Sequence, residues 1–540
     1  MSAGAIETLT VAQALVRRLE EHGVVQAFGI PGTHNLPLFE ALANSSSIRH
    51  TATRHEQGAG YAADAFARSG GGIAPCFVTT GPGVTNIATA IGTAFADSVP
   101  MLVVATSPPA WADGNDTGSL HECKNQFAAI ASLSGSAEQV RNASQAVAAI
   151  DRVMASFANG RPRPAYIEIP LDVLTDAEPI GPSPMAPVAR PTPDRESVQA
   201  AARLLREASS CGIVVGGGAA EAGDAVTSLA ERLGAGVVSS VNGKGVVSDD
   251  HACSLGASLR LEPAQSFLYE CDVVLAVGTE LAESDLWRDP PLPLSGRLIR
   301  LDIASTQLAL NATAEIELEG DAEETLRLII DELTDLPALD GRIGRLAQAR
   351  AAIEDSAAES GGEFRGLMRT LSEVLPADAI LANDSARLCY FGAVHFYPAK
   401  ASRQFLYPTG FATLGYAVPA ALGAKLAHPD RTVIGLSGDG GLLFSVAELN
   451  AAAEAGVSLP ILVHSDGGYG AIRDEMEAES MPRVGVDFDA GALSQIAGGL
   501  GGRGARVSNA EGLAEAIEAA VNFNGPTVIE VPDAALQAWA

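Results

Sequence analysis

Positive charge is scarce in this 540-residue sequence: 35 Lys and Arg stand against 65 Asp and Glu, a formal net charge of −30. A protein that tracks a phosphate backbone needs a basic face, so no nucleic-acid partner is expected. The same deficit argues against docking on anionic lipid. Aromatic residues make up only 5% of the chain against 56 glycines, so the cores must be built from aliphatic side chains. No run of about 18 apolar residues occurs, and no membrane span is expected. The opening MSAGAIETLT has neither a basic nor an apolar stretch and predicts no secretory signal. The six cysteines include no C-x-x-C pair, and three lie beside apolar runs, which suits reduced thiols in a cytoplasmic protein.

What is present has globular proportions, 47% hydrophobic and 19% charged, and this excludes wholesale disorder. At ~150 residues per domain the length allows three or four domains. Short β-type runs alternate with helical patterns throughout, the signature of α/β domains with parallel sheets. Strands are predicted at 74–79, 101–105, 165–169, 213–215, 273–277, 298–301, 432–436, 461–464 and 527–531, and helices at 11–22, 58–68 and 447–455. Residues 178–194 hold six prolines and read as a linker, and a second break follows Leu336. The expected domains are therefore 1–177, 195–336 and 360–540. GRPRPAYIEIPLDV near the end of the first and NGPTVIEVPDA near the end of the last echo one another. The echo fits two unrelated edge strands or two outer domains of one fold.

Chemistry concentrates where strands end. Gly438-Asp439-Gly440-Gly441 follows one predicted strand and Ser465-Asp466-Gly467-Gly468-Tyr469-Gly470 the next. Asp439 and Asp466 are 27 residues apart, each at a strand's C-terminal end, where open α/β sheets bind ligands. If the strands are neighbours, two carboxylates converge as hard ligands for a phosphate-bound Mg²⁺. Gly440 and Gly441 would let backbone N–H groups approach phosphate at a helix N-terminus. The GDG alone reads better as an ordinary turn with an Asp cap; the pair at this spacing is more specific.

This run resembles the thiamine diphosphate motif of the acetolactate synthase and 2-oxo acid decarboxylase superfamily. That family usually carries Asn where this chain has Asp466. The resemblance spans essentially the whole chain. It includes Arg54-His55-Glu56-Gln57-Gly58-Ala59-Gly60-Tyr61-Ala62-Ala63-Asp64, Thr79-Thr80-Gly81-Pro82-Gly83-Val84-Thr85-Asn86 and Phe28-Gly29-Ile30-Pro31-Gly32. By itself Glu56 reads as a helix-dipole partner. The resemblance instead makes it the acid that hydrogen-bonds N1′ of the aminopyrimidine, from which a thiazolium ylid and then an enamine follow. It implies coenzyme contacts at Pro31, Gly83, Asn86, Gly438, Asp439, Gly440, Gly441, Tyr469 and Gly470. It also implies Mg²⁺ on Asp439, Asp466 and the Gly468 carbonyl. In Tyr407-Pro-Thr-Gly-Phe-Ala-Thr-Leu-Gly-Tyr416, Leu414 would support the bent coenzyme and the Ala412 carbonyl would receive its amino hydrogen.

The loop Gly118-Ser-Leu-His121-Glu122-Cys-Lys-Asn-Gln126 places His121 and Glu122 where the biosynthetic synthases have Phe-Gln. Together with Gly32-Thr33-His34-Asn35, it looks most like 5-guanidino-2-oxopentanoate decarboxylases. Glu122 would pair with a cationic substrate, or else be a solvated loop carboxylate. His34 and His121 are the candidate proton donors. The implied fold is α/β with three domains, the outer two pseudo-equivalent around a Rossmann-like middle domain. The implied activity is decarboxylation of a small-molecule 2-oxo acid, with acetolactate-type carboligation as the alternative. The family builds its sites across a homodimer interface, often within a homotetramer. Gly212-Ile-Val-Val-Gly216-Gly-Gly218 does not fit G-x-G-x-x-G, and Asp302 could meet an adenine ribose as any strand-end Asp could. FAD is therefore expected to be absent, though not excluded.

Overall fold

The computed structural model describes residues 6–185, 189–334 and 342–539. A short antiparallel pair, β1 (Glu7–Thr10) with β8 (Ala177–Ile180), closes the first region. Within that region come β2 (Gln26–Gly29), β3 (Arg49–Ala52), β4 (Cys76–Val78), β5 (Leu102–Ser107), β6 (Ser136–Gln139) and β7 (Ala165–Pro170). The middle holds β9 (Cys211–Val215), β10 (Gly236–Ser239), β11 (Val273–Val277), β12 (Arg297–Asp302) and β13 (Ile316–Glu319). The last third holds β14 (Ile380–Asn383), β15 (Phe405–Leu406), β16 (Val433–Gly438), β17 (Leu459–Ser465), β18 (Arg503–Arg506) and β19 (Pro526–Pro532).

The outer sheets are parallel and six-stranded, in the orders β3-β2-β4-β5-β7-β6 and β15-β14-β16-β17-β19-β18. The two orders are one topology repeated, and the echoing IEIP and IEVP segments fall on the equivalent strands β7 and β19. The middle sheet runs β10-β9-β11-β12-β13. Ser254 bridges Val237 of β10 in parallel on the outer side, and with that rudimentary strand counted the order is the doubly wound 3-2-1-4-5-6 of the expected Rossmann-like domain. Every residue of Val273–Val277 is buried, as a parallel strand covered by helices on both faces must be.

One difference from the sequence expectation concerns a linker. The first linker begins later than its prolines suggest, because residues 177–180 pair with β1, where an edge position tolerates Pro179. The second, after Leu336, lies largely outside the described residues.

The outer domains meet through helices Glu56–Arg68 and Ala417–Ala427, which follow the equivalent strands β3 and β15. Small residues allow the approach: a Cβ on Gly423 would stand 2.0 Å from the Ala62 carbonyl oxygen. The Tyr61 and Tyr416 rings meet edge to face at 5.3 Å, and the Tyr416 hydroxyl donates to Asp64 at 2.6 Å. Arg68 bonds Asp64 at 2.9 Å and Asp97 at 3.0 Å, which keeps a buried guanidinium paired.

Candidate functional site

Glu56 is the first residue of its helix, with the His55 ring capping the Gln57 N–H at 3.2 Å. It is 8% exposed, and its Oε2 accepts from Asn86 Nδ2 at 2.9 Å. Gly83 lies alongside, where a Cβ would come within 3.3 Å of Glu56 Oε1. Three expected residues thus share one corner. Gly81 beside them is in the left-handed region at φ 69°, and a Cβ there would strike the His121 carbonyl oxygen at 2.4 Å. Gly81 N–H donates to the buried Gln126 at 2.7 Å, so the 121–126 loop grips the Gly-Pro-Gly turn.

His34 and His121 stack at 5.0 Å between ring centroids with a 59° tilt. Each keeps its Nδ1 buried without a partner among the described residues. Burial, and then the neighbouring His121, push the His34 pKa below the usual imidazole range. Asn35 braces the turn holding Pro31, accepting from Gly32 N–H at 2.7 Å and donating to the Ile30 carbonyl at 3.2 Å. Glu122 accepts from the Thr117 N–H at 3.1 Å, the Ser119 N–H at 3.0 Å and the Thr117 hydroxyl at 3.2 Å. These bonds, led by the Thr117 N–H, hold its pKa below the usual carboxylate range. Its carboxylate therefore caps the loop that carries His121, rather than standing unbonded in it.

At the other sheet, β16 and β17 are parallel neighbours with Gly438 opposite His464, so the condition for converging carboxylates is met. Asp439 is fully buried; its Oδ1 accepts from Gly440 N–H at 2.8 Å and its Oδ2 from Gly467 and Gly468 N–H at 2.9 and 3.2 Å. Burial first, and repulsion from Asp466 second, raise its pKa. Two anions in so poorly solvated a place call for a cation. Gly468 has φ 146°, and a Cβ there would lie 1.9 Å from the Val486 carbonyl oxygen. At Gly470 a Cβ would lie 1.9 Å from Asp466 Oδ2, so the absence of a side chain lets that carboxylate sit over the N-terminus of helix Gly470–Ala478. The Tyr469 ring covers Gly440. His464 packs against Phe364 and bonds Asp533 at 3.1 Å, an ordinary strand residue.

Leu414 is half-buried, and Ala412 sits at φ 47°, backbone strain of the kind found where a segment is held for a ligand. Asp384, which sequence reasoning passed over, holds that segment. Its carboxylate accepts from Gly415 N–H at 2.9 Å and from Ser437 Oγ at 2.9 Å, tying the Leu414 turn to the GDG turn. Burial pushes its pKa up to about 6. Glu448 was also missed: although it belongs to the last third, it accepts from Arg54 N–H at 3.0 Å and His55 N–H at 2.9 Å, at the very start of the Glu56 helix. Burial pushes its pKa up to about 7, opposed by those bonds. Asp384 follows a four-residue strand too short to stand out, and Glu448 in AELNAA looks like any helix-surface acid.

The middle domain adds a cavity of about 760 Å³ at its strand ends, lined by Gly216, Gly217, Gly218, Arg161, Asp285 and Asp302 among others. It lies at the switch point between β9 and β11. Among the described residues no helix is long and apolar enough to cross a membrane.

Residues 9–129 match the N-terminal TPP binding domain of thiamine pyrophosphate enzymes, 198–329 their central domain and 389–531 their C-terminal TPP binding domain. Similar proteins include a probable 2-ketoarginine decarboxylase of Pseudomonas aeruginosa, 42% identical over 89% of this chain and 86% of its own length. The large subunit of acetolactate synthase isozyme 1 of Escherichia coli is 28% identical over 97% of this chain and 93% of its own. An acetolactate synthase of Arthrospira platensis is 30% identical over 87% and 84%.

Proposed function

The chain belongs to the thiamine pyrophosphate enzyme family, whose members here act on 2-oxo acids, and on that premise we propose that it decarboxylates a polar or cationic 2-oxo acid such as 5-guanidino-2-oxopentanoate. The residues present fit the coenzyme and a divalent ion. Asp439 and Asp466 with the Gly468 carbonyl would form the oxygen donor set for Mg²⁺, in a place where burial already disfavours the bare carboxylate of Asp439. Backbone at Gly438, Gly440, Gly441, Tyr469 and Gly470 would meet the diphosphate, and that at Pro31 and Ala412 the rest of the molecule. When bound, thiamine diphosphate supplies the carbanion and electron sink that let the substrate lose CO₂.

The protein's part is position and protons. Asn86 holds Glu56 by Oε2, leaving Oε1 to exchange a proton with the pyrimidine N1′. His34 and His121 would supply the imidazole N–H that protonates the product carbon, giving an aldehyde. Their two unpartnered Nδ1 atoms are the observation that carries decarboxylation over carboligation. Glu122, fixed by three bonds from its own loop, supplies a preorganised negative charge next to His121 for a cationic substrate. The reaction is redox-neutral, so no flavin is needed as an electron carrier. Carboligation to an acetolactate remains the second reading, favoured by the likeness to acetolactate synthases.

We take the domains as 1–177, 195–336 and 360–540, which the separation of the three sheets supports. We also place Glu56 and Asp439 of one site on different subunits of a homodimer, within a homotetramer. No hydrogen bond or ion pair joins Glu56 to Asp439 or Asp466 among the described residues. On the helix after the GDG turn, Leu443 and Phe444 are 38% and 57% exposed, an apolar surface suited to a second copy. The six cysteines, five of them buried and none in a disulfide among the described residues, support a cytoplasmic location.

The test is CO₂ release from a panel of 2-oxo acids with thiamine diphosphate and Mg²⁺. Preference for 5-guanidino-2-oxopentanoate over pyruvate, with an aldehyde product, is expected. Preference for pyruvate with acetolactate as product overturns the reading.

A further inference from the structure

The two carboxylates that converge at the strand ends are not alone. Arg387, which follows β14, places Nη1 3.5 Å from Asp466 Oδ2, and Arg473 places Nη2 3.5 Å from the same oxygen. Arg473 also donates from Nη1 to the Asp466 carbonyl at 3.1 Å. Neither is a loose surface pair: the Arg387 and Arg473 side chains are 21% and 14% exposed, and that of Asp466 is 7% exposed. Both are held from behind, Arg387 by Glu363 at 3.3 Å and Asp474 at 3.0 Å, Arg473 by Asp487 at 3.4 Å. Both guanidiniums address Oδ2 and leave Oδ1 without one.

Simple electrostatics says why this matters, given the coenzyme and metal proposed above. Two carboxylates cancel a divalent cation, so a diphosphate would arrive at a centre with no net positive charge. Like charges brought together out of water repel strongly. An amide in place of Asp466 would avoid the problem. This chain instead keeps the carboxylate and sets two cations against it.

We propose that Arg387 and Arg473 are positioning residues of the coenzyme site: they offset the charge of Asp466 and fix its orientation so that a metal-bound diphosphate is accepted. The argument rests on the proposed function, because without coenzyme there is no anion to accommodate. Their guanidiniums, planar and permanently charged, suit a carboxylate held by one oxygen.

Calorimetric titration of thiamine diphosphate into full-length apoprotein at saturating Mg²⁺ tests this apart from catalysis. Arg387→Gln should raise the coenzyme Kd about tenfold, and Arg387→Lys should recover most of the loss. Asp466→Asn should make the arginine dispensable: adding Arg387→Gln to it should change Kd by no more than about twofold, since the charge to be offset is gone. Arg473→Gln gives the same test should the Arg387 variants fail to fold. An equal penalty in both backgrounds, or none in either, overturns the proposal while the function stands. A wild-type protein that takes up no coenzyme brings down both.

Discussion

The two outer domains are the same six-stranded topology carrying different chemical groups at their strand ends. In the first, strand ends present Glu56 and the stacked His34–His121 pair, groups that hold and move protons. In the second, the ends of β16 and β17 present Asp439, Asp466 and close backbone N–H groups, which suit a metal and an anion. The turn after β4 is Gly-Pro-Gly and that after β16 Gly-Asp-Gly, so one topological position carries a steric hinge in one half and a carboxylate in the other. The helices after β3 and β15 face each other across the interface, one starting at Glu56 and the other just after Leu414. The comparison teaches that the sheet supplies geometry and the short strand-end turns supply function.

The sharpest way to break the comparison is to remove the proton from one half only. Glu56→Gln should leave coenzyme binding intact but lower CO₂ release by at least about 100-fold, and proton exchange at the coenzyme's C2, followed by NMR, should be lost with it. Persistent exchange would return Glu56 to a helix-dipole role. Next in size is the packing of the paired helices. Gly423→Ala must push against the Ala62 carbonyl, so a loss of about 3 kcal/mol in chemical denaturation is expected. Gly498→Ala, where a Cβ meets nothing within 4 Å, should change stability by less than about 0.5 kcal/mol.

A pH series tests the link between halves through Glu448. Its pKa is raised from 4.5 to about 7 in the folded protein, and that of Asp384 from 3.8 to about 6. The folded state therefore holds protons that the unfolded state has released, and stability falls as pH rises between about 4 and 7. Glu448→Gln should flatten that fall by up to ~1.4 kcal/mol per pH unit, measured as denaturation midpoints across the window. An unchanged slope would show that Glu448 is not the titrating group.

Much of this arrangement was legible in sequence because its strands are buried on both faces and read as continuous aliphatic runs, as Val273–Val277 does. The strands that escaped notice, such as Arg49–Ala52, Ser136–Gln139 and Arg503–Arg506, lie at sheet edges or near them, are short and are partly polar. Asp439 and Asp466 were readable because glycines flank them at strand ends. Asp384, Glu448 and Gln126 act on partners between 31 and 394 residues away, and no local pattern records such a bond. Arg387 and Arg473 are similarly silent until β14 and β17 bring them to Asp466.

The central claim is that the proton half of one subunit and the metal half of another grip a single coenzyme. Co-expressing Glu56→Gln and Asp439→Ala chains under two affinity tags, then isolating the mixed dimer, puts it directly to the test. Sites built across subunits leave one site with both lesions and one with neither, so the mixed dimer should release CO₂ at about half the wild-type rate although each parent is inactive. A mixed dimer as inactive as its parents would contradict the account.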